Sequence, residues 1–326
     1  MHAAFSTNIV YCEGTSMRPM SHPASLKSRI VGIVLLMFVG SLWLLTFSIT
    51  KQLEKDMTEL LEAQQFSAVS YVASEIDAKL LQRIDLLNQN AKLVVQYLDS
   101  PVKTREFLKG RIGLLALFQS GISVINKNGI GITDYPITIG RENASFTELE
   151  YFQEVLATGK TVIGMPRVGR FSHKPGVAIA APIRNNSGEI VGVLAGFATL
   201  SDKSLFGQVE HSMVGKSGAI VIVDPRYSLI VSSSDPVDIL QSLPKPGSSF
   251  DSAISGFEGS GVAVTSNGVK ALLSTKMIPS TGWAAQMILP VDEAFKPIWS
   301  MQRRAYEVAI ALTLLMGWSP LPITAS

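Results

Sequence analysis

The segment Tyr151–Leu200, YFQEVLATGKTVIGMPRVGRFSHKPGVAIAAPIRNNSGEIVGVLAGFATL, decides the fold class. With the five residues before it, it reads FTELEYFQEVLAT, a helical pattern stopped by Gly159. TVIG follows as a short strand. A loop from Pro166 to Pro175 then carries Arg167, Arg170, His173 and Lys174. GVAIAAPIR and EIVGVLAGFATL are two apolar strands joined by NNSG, a strong hairpin signal. The stretch has no obvious nucleophile, no paired carboxylates and no metal cluster. It looks built to hold something rather than to change it.

Working outward, GISVINKNGIGIT upstream reads as strand, Asn-Lys-Asn-Gly turn, strand. These pieces make one small α+β module over residues 119–205. A second module, 206–300, repeats the order. GAIVIVDPRYSLIVSS is strand, turn, strand, and DPVDILQSL a short helix. GVAVTSNGVKALLSTKMI is a hairpin around Asn267-Gly268, and GWAAQMILP a closing strand. Side-chain identity between the halves is slight, so the repeat is one of architecture.

Before the modules, Leu53, Met57, Leu60, Ala68, Val69, Val72, Ile76, Leu80, Ile84, Leu87, Ala91, Val94 and Leu98 recur at spacings mostly of three and four. That is one apolar stripe on a helix. No Gly or Pro interrupts Lys51–Ser100, and Pro101 ends it. The helix spans roughly 75 Å at 1.5 Å per residue, with connection to 118, and its stripe between Val69 and Leu98 is expected to pair two copies of the chain. Upstream, IVGIVLLMFVGSLWLLTFSI, Ile30–Ile49, has no charge and is long enough to span a bilayer. The expected span is 29–50, with Lys27 and Arg29 placing the tail 1–28 in the cytoplasm. No small-residue cleavage site follows it. A second apolar run, Ala305–Trp318, stopped by Pro320 and Pro322, is expected to be a short return span within 301–326.

Composition excludes several classes. Net charge is +2, so no nucleic-acid footprint is present. The single cysteine, Cys12, excludes a disulfide framework and a cysteine-based zinc site. The four histidines (His2, His22, His173, His211) are scattered, without metal-ligand spacing. Ser172 beside His173 is not a triad, and no G-x-S-x-G elbow occurs. No catalytic residue, metal or cofactor is assigned, and the chain is read as not an enzyme.

Long helix, two strand-turn-strand modules, then a return to the membrane: this order resembles the double Cache family of PAS-like extracytoplasmic sensor domains in bacterial transmembrane receptors. YFQEVLATGKTVIGMP, APIRNNSGEIVGVLAG and TGWAAQMILPVDEAF carry the resemblance, over about residues 51–300. It implies two antiparallel-sheet modules outside the inner membrane, flanked by transmembrane helices. It implies a ligand in the distal module, covered by Thr147–Thr158 and the loop 166–175, with Tyr151 facing it. Amino acids and organic acids are the expected ligands. Arg167, Arg170 and Arg141 suit a carboxylate, because a guanidinium offers paired planar donors. His173 could donate or titrate, and Asp134, beside Tyr135, suits a ligand ammonium. Relatives usually carry an arginine just before the Tyr-Phe pair, where this chain has Glu148, Leu149 and Glu150. That departure puts a standard amino-acid ligand in doubt.

The implied function is ligand sensing, passed along the stalk to a cytoplasmic output. That output would be a cyclic-di-GMP enzyme, a histidine kinase or a chemoreceptor helix pair, none of which has a motif here. The alternative is a membrane-tethered solute-binding protein. The ending GWSPLPITAS is unlike a continuing receptor helix, as a frameshifted or shortened gene would leave it.

Overall fold

A computed structural model describes residues 26–201, 205–207, 215–243, 249–265 and 267–318. The expected tail up to position 25, His211 and the ending 319–326 lie outside the described residues. The chain divides into two units: residues 1–52 with 302–326, and residues 53–301.

In the first unit, the start of helix α1 (Leu26–Val94) lies beside the end of a helix from Lys296 to Trp318. Trp43 donates its indole N–H to Thr313 Oγ1 at 3.2 Å and stacks on Tyr306. Thr50 and Tyr306 share a hydroxyl contact at 3.3 Å. Ile30, Leu36, Leu44 and Phe47 point outward. Among the described residues, α1 alone is long and apolar enough to cross a membrane, with a mean hydropathy of 2.5 over its most apolar window.

In the second unit, α1 runs unbroken to Val94 and closes in a single 3-10 turn, Val95–Tyr97. The helix therefore stops short of Ser100. Ser100 instead caps α2 (Pro101–Lys109), accepting from the Lys103 N–H, and Pro101 opens that helix where its missing N–H costs nothing. A short α3 (Ile112–Leu117) leads to the first sheet.

That sheet holds β1 (Ile122–Asn126), β2 (Gly131–Tyr135), β3 (Val162–Ile163), β5 (Pro175–Arg184) and β6 (Ile190–Thr199) in the order β2-β1-β6-β5-β3, with β4 (Arg167–Val168) also on β5. All pairs are antiparallel. Both predicted turns form by the same device. Asn126 Oδ1 accepts the N–H groups of Asn128 and Ile130, Asn185 Oδ1 those of Ser187 and Glu189, and Gly129 and Gly188 take positive φ. Helix α4 covers Glu150–Thr158 and ends at Gly159, whose φ is +65°. It starts later than its pattern suggests. The Phe146 N–H is held by Gly129 O at 2.7 Å, which commits Phe146–Leu149 to a turn.

The second sheet holds β7 (Ala219–Asp224), β8 (Leu229–Ser233), β9 (Gly259–Val264), β10 (Lys270–Ile278) and β11 (Trp283–Pro290) in the order β8-β7-β11-β10-β9. This repeats the five-strand order of the first sheet, without a counterpart of β4. A helix over DPVDILQSL does not form. Asp235 caps only the 3-10 turn Pro236–Asp238, and Leu240 at φ +67° breaks any continuation. Short helices α5 (Asp251–Ile254) and α6 (Val291–Ala294) complete the module, and the chain leaves through α7 (Lys296–Trp318).

The α1 stripe lies within the main core. Val69, Ile76, Leu80, Leu87 and Val94 are buried with Ile122, Ile179 and Leu194 of the first sheet and Ile222, Trp283 and Met287 of the second. The expectation that this stripe pairs two copies of the chain is therefore corrected: its apolar surface is already covered by the chain's own sheets. Polar hooks fix the helix to both. Asn88 accepts from Thr161, Asp77 accepts the Ser280 N–H at 2.8 Å, and Gln65 donates to the carbonyls of Leu272 and Met287.

Candidate functional site

The face of the first sheet turned away from α1 is roofed by α4 and by the loop between β4 and β5. Strand alternation sends Leu194 and Ala198 of β6 to the core shared with α1, and Ala195 and Phe197 to the roofed side. Between sheet and roof lies a cavity of about 60 Å³. Ser123, Ala178, Ala195 and Phe197 form its floor. Tyr151 comes from α4, Arg141, Phe146 and Leu149 from the chain before it, and Arg167, Arg170, Phe171 and Ser172 from the loop.

Four of the seven sequence-predicted residues meet here: Tyr151, Arg141, Arg167 and Arg170. Arg141 is only 5% exposed. Its Nη1 lies 3.7 Å from Asp134 Oδ2, its Nη2 donates to Ser120 O at 3.1 Å, and its guanidinium sits 5.2 Å from the Phe171 ring centre. Burial lowers its pKa, and the nearby Asp134 and Tyr151 oppose the shift. Gly121, at φ +94°, makes room for it: a Cβ there would stand 2.7 Å from Arg141 Nη1. Arg170 donates to Ser145 O at 3.0 Å, approaches exposed Glu148 at 3.7 Å, and also lies over the Phe171 ring, 5.5 Å from its centre. Arg167 has no carboxylate partner among the described residues. The Tyr151 phenol is pushed well above its ordinary value by burial, against the pull of Arg167 and Arg141. Its hydroxyl therefore remains a proton donor across physiological pH.

The other three are placed differently. Asp134 is fully buried behind Arg141, accepting the Thr138 N–H at 2.8 Å, and does not line the cavity. Tyr135 packs against the main core. His173 takes φ +54° in a tight turn, its N–H bonded to Gly169 O at 2.9 Å, outside the lining. Reading the sequence alone missed Phe146, Phe171, Phe197, Ser123 and Ser172. Phe171 and Phe197 look like ordinary loop and strand apolar residues, although Phe197 departs from the small residues around it. Gly176 signals its position, since a side chain there would run into the Phe197 ring.

In the second module, Asp224 is fully buried, accepting the Trp283 indole N–H at 2.7 Å and the Arg226 guanidinium. It ties β7 to β11 and serves the fold. Next to it, Tyr227 reaches across to the first module and donates to Glu150, the residue preceding Tyr151. Burial and this bond push the Tyr227 phenol up to about 12.

A family profile described as Cache domain, of the double type, matches residues 45–298. No curated protein matches the sequence. Among solved structures, the ligand-binding domain of the Pseudomonas aeruginosa PAO1 amino acid chemoreceptor PctB, in complex with L-glutamine, is 20% identical. That match covers 77% of this chain and 99% of the other at a TM-score of 0.59. The ligand-binding domain of the Pseudomonas fluorescens chemoreceptor CtaA, in complex with L-isoleucine, is 16% identical, covering 77% and 99% at 0.58. At these identities the likeness is one of fold. With two sheets of the same topology on one long helix, and a profile match over most of its length, this chain belongs to the double Cache domain family.

Proposed function

We propose that this chain is the extracytoplasmic sensing region of a transmembrane receptor, holding a small carboxylate in the cavity of its first module. The observation that carries the reading is Arg167 at the cavity, a guanidinium with no carboxylate partner among the described residues, beside Tyr151 and two further arginines. Arg167 is exposed on β4, so its paired donors are free to reach a carboxylate at the cavity mouth. Double Cache domains are ligand-binding modules, extracytoplasmic in receptors, and the structural relatives include domains in complex with amino acids. The apolar start of α1 supplies the anchor, with the bacterial inner membrane as its site, and the Ala305–Trp318 run a return span. The expected output is a cyclic-di-GMP enzyme, a histidine kinase or a chemoreceptor signalling domain. The Tyr227–Glu150 bond favours sensing over simple tethered binding, because it joins the roof of the cavity to the second module.

The test is a thermal-shift screen of the full chain in detergent against amino acids and organic acids. A ligand at 100 times its Kd should add about 2.7 kcal/mol, and Arg167→Ala should abolish that gain. A folded protein that no such compound stabilises would sink this reading.

A further inference from the structure

We infer that the ligand is an organic anion without an ammonium group: a carboxylate on an apolar or aromatic body, in place of an α-amino acid. This rests on the assignment of the cavity as a ligand site and narrows its substrate class.

The charges decide it. Every charged side chain on the cavity lining is a cation: Arg141, Arg167 and Arg170. No aspartate or glutamate lines it. The neighbouring carboxylates lie outside the lining. Asp134 stands behind Arg141, its Oδ2 taking the Arg141 contact and the Thr138 N–H while its buried Oδ1 has no partner among the described residues, Glu148 is 76% exposed against Arg170, and Glu150 accepts from Tyr227. The polar groups left on the lining side chains are the Tyr151, Ser123 and Ser172 hydroxyls. An α-ammonium placed here would face three guanidinium groups, of which Arg167 and Arg170 are exposed, with only neutral oxygens on the lining to receive it. A carboxylate in the same place gains charge-assisted donors from guanidinium and phenol. The rest of the wall is apolar, with Phe146, Phe171, Phe197 and Leu149, and so suits a hydrocarbon body. PctB and CtaA share the fold while in complex with amino acids. The charge of this lining sets the present chain apart from such a ligand.

Calorimetry on the full chain in nanodiscs tests this with matched pairs that differ by one ammonium: propanoate and L-alanine, 4-methylpentanoate and L-leucine, 3-phenylpropanoate and L-phenylalanine. In at least one pair the deaminated acid should bind at least about tenfold more tightly than its amino acid, and Arg167→Gln should weaken that acid. An amino acid that binds as tightly as its deaminated partner overturns the inference and leaves the sensing assignment standing. Loss of that binding in Asp134→Asn would then identify the missing counter-charge. If no member of any pair binds at millimolar concentration while circular dichroism shows a folded chain, the inference and the ligand-site assignment fall together.

Discussion

At the scale of single residues, Tyr151 carries the clearest chemical consequence. Because burial holds its phenol protonated, it acts as a donor whose strength does not vary with physiological pH. Tyr151→Phe keeps the ring and removes only the hydrogen bond. Affinity for a carboxylate ligand should fall roughly tenfold or somewhat more, the usual scale for a bond to a charged group. Titration calorimetry that finds affinity unchanged would remove the hydroxyl from the site. Glu293 offers a second test, on stability. The Ser217 hydroxyl, then the N–H groups of Lys216 and Ser217, hold its carboxyl below the ordinary range. A depressed folded-state pKa means that the stabilisation is full above the unfolded value, about 4.3, and is lost as pH falls through the folded value. The melting temperature of Glu293→Gln should lie below that of the parent at neutral pH and converge with it in acid. A gap that persists at low pH would show that the carboxylate charge is not what matters.

Among the elements, α1 organises both modules because its apolar stripe meets both sheets. Leu80 and Leu87 are fully buried on it, whereas Leu81 is 44% exposed on the same turn as Leu80. Leu80→Ala should cost about 2–5 kcal/mol, since it removes buried methyl groups and leaves a cavity, while Leu81→Ala should stay within about 0.5 kcal/mol. Denaturant melts of the two variants distinguish the faces. Equal effects would mean that the stripe is not the inner face.

Across the whole sensing unit, the first module holds the candidate ligand while α1 and the Tyr227–Glu150 bond join it to the second. A ligand shifts a conformational balance only through differential affinity for the two states. The contact nearest the cavity that can carry such a difference runs from α4 to the β7–β8 hairpin. Tyr227→Phe should leave ligand affinity within about twofold, the phenol being outside the cavity. It should also erase the ligand-induced change in hydrogen exchange over β7 and β8. If that change survives, the signal travels through α1 alone.

The sequence determined most of the strand order, the two asparagine-led hairpin turns, the repeat and the apolar start of α1, because these depend on local chemistry and on periodicity along the chain. It also singled out Arg141, Arg167, Arg170 and Tyr151, since guanidinium and phenol announce their chemistry wherever they stand. Tertiary structure alone decided the rest. Asp134 was turned from a ligand contact into the buried partner of Arg141, and His173 was spent on a tight turn. Phe146, Phe171 and Phe197 came together from a turn, a loop and a strand far apart in the chain. The stripe on α1 was equally ambiguous. A helix period shows that one face seeks burial, but the covering surface could be a second copy or the chain's own sheets. Only the packed structure, in which two sheets occupy that face, settles it, because burial depends on what lies across from a side chain and not on what lies next to it in sequence.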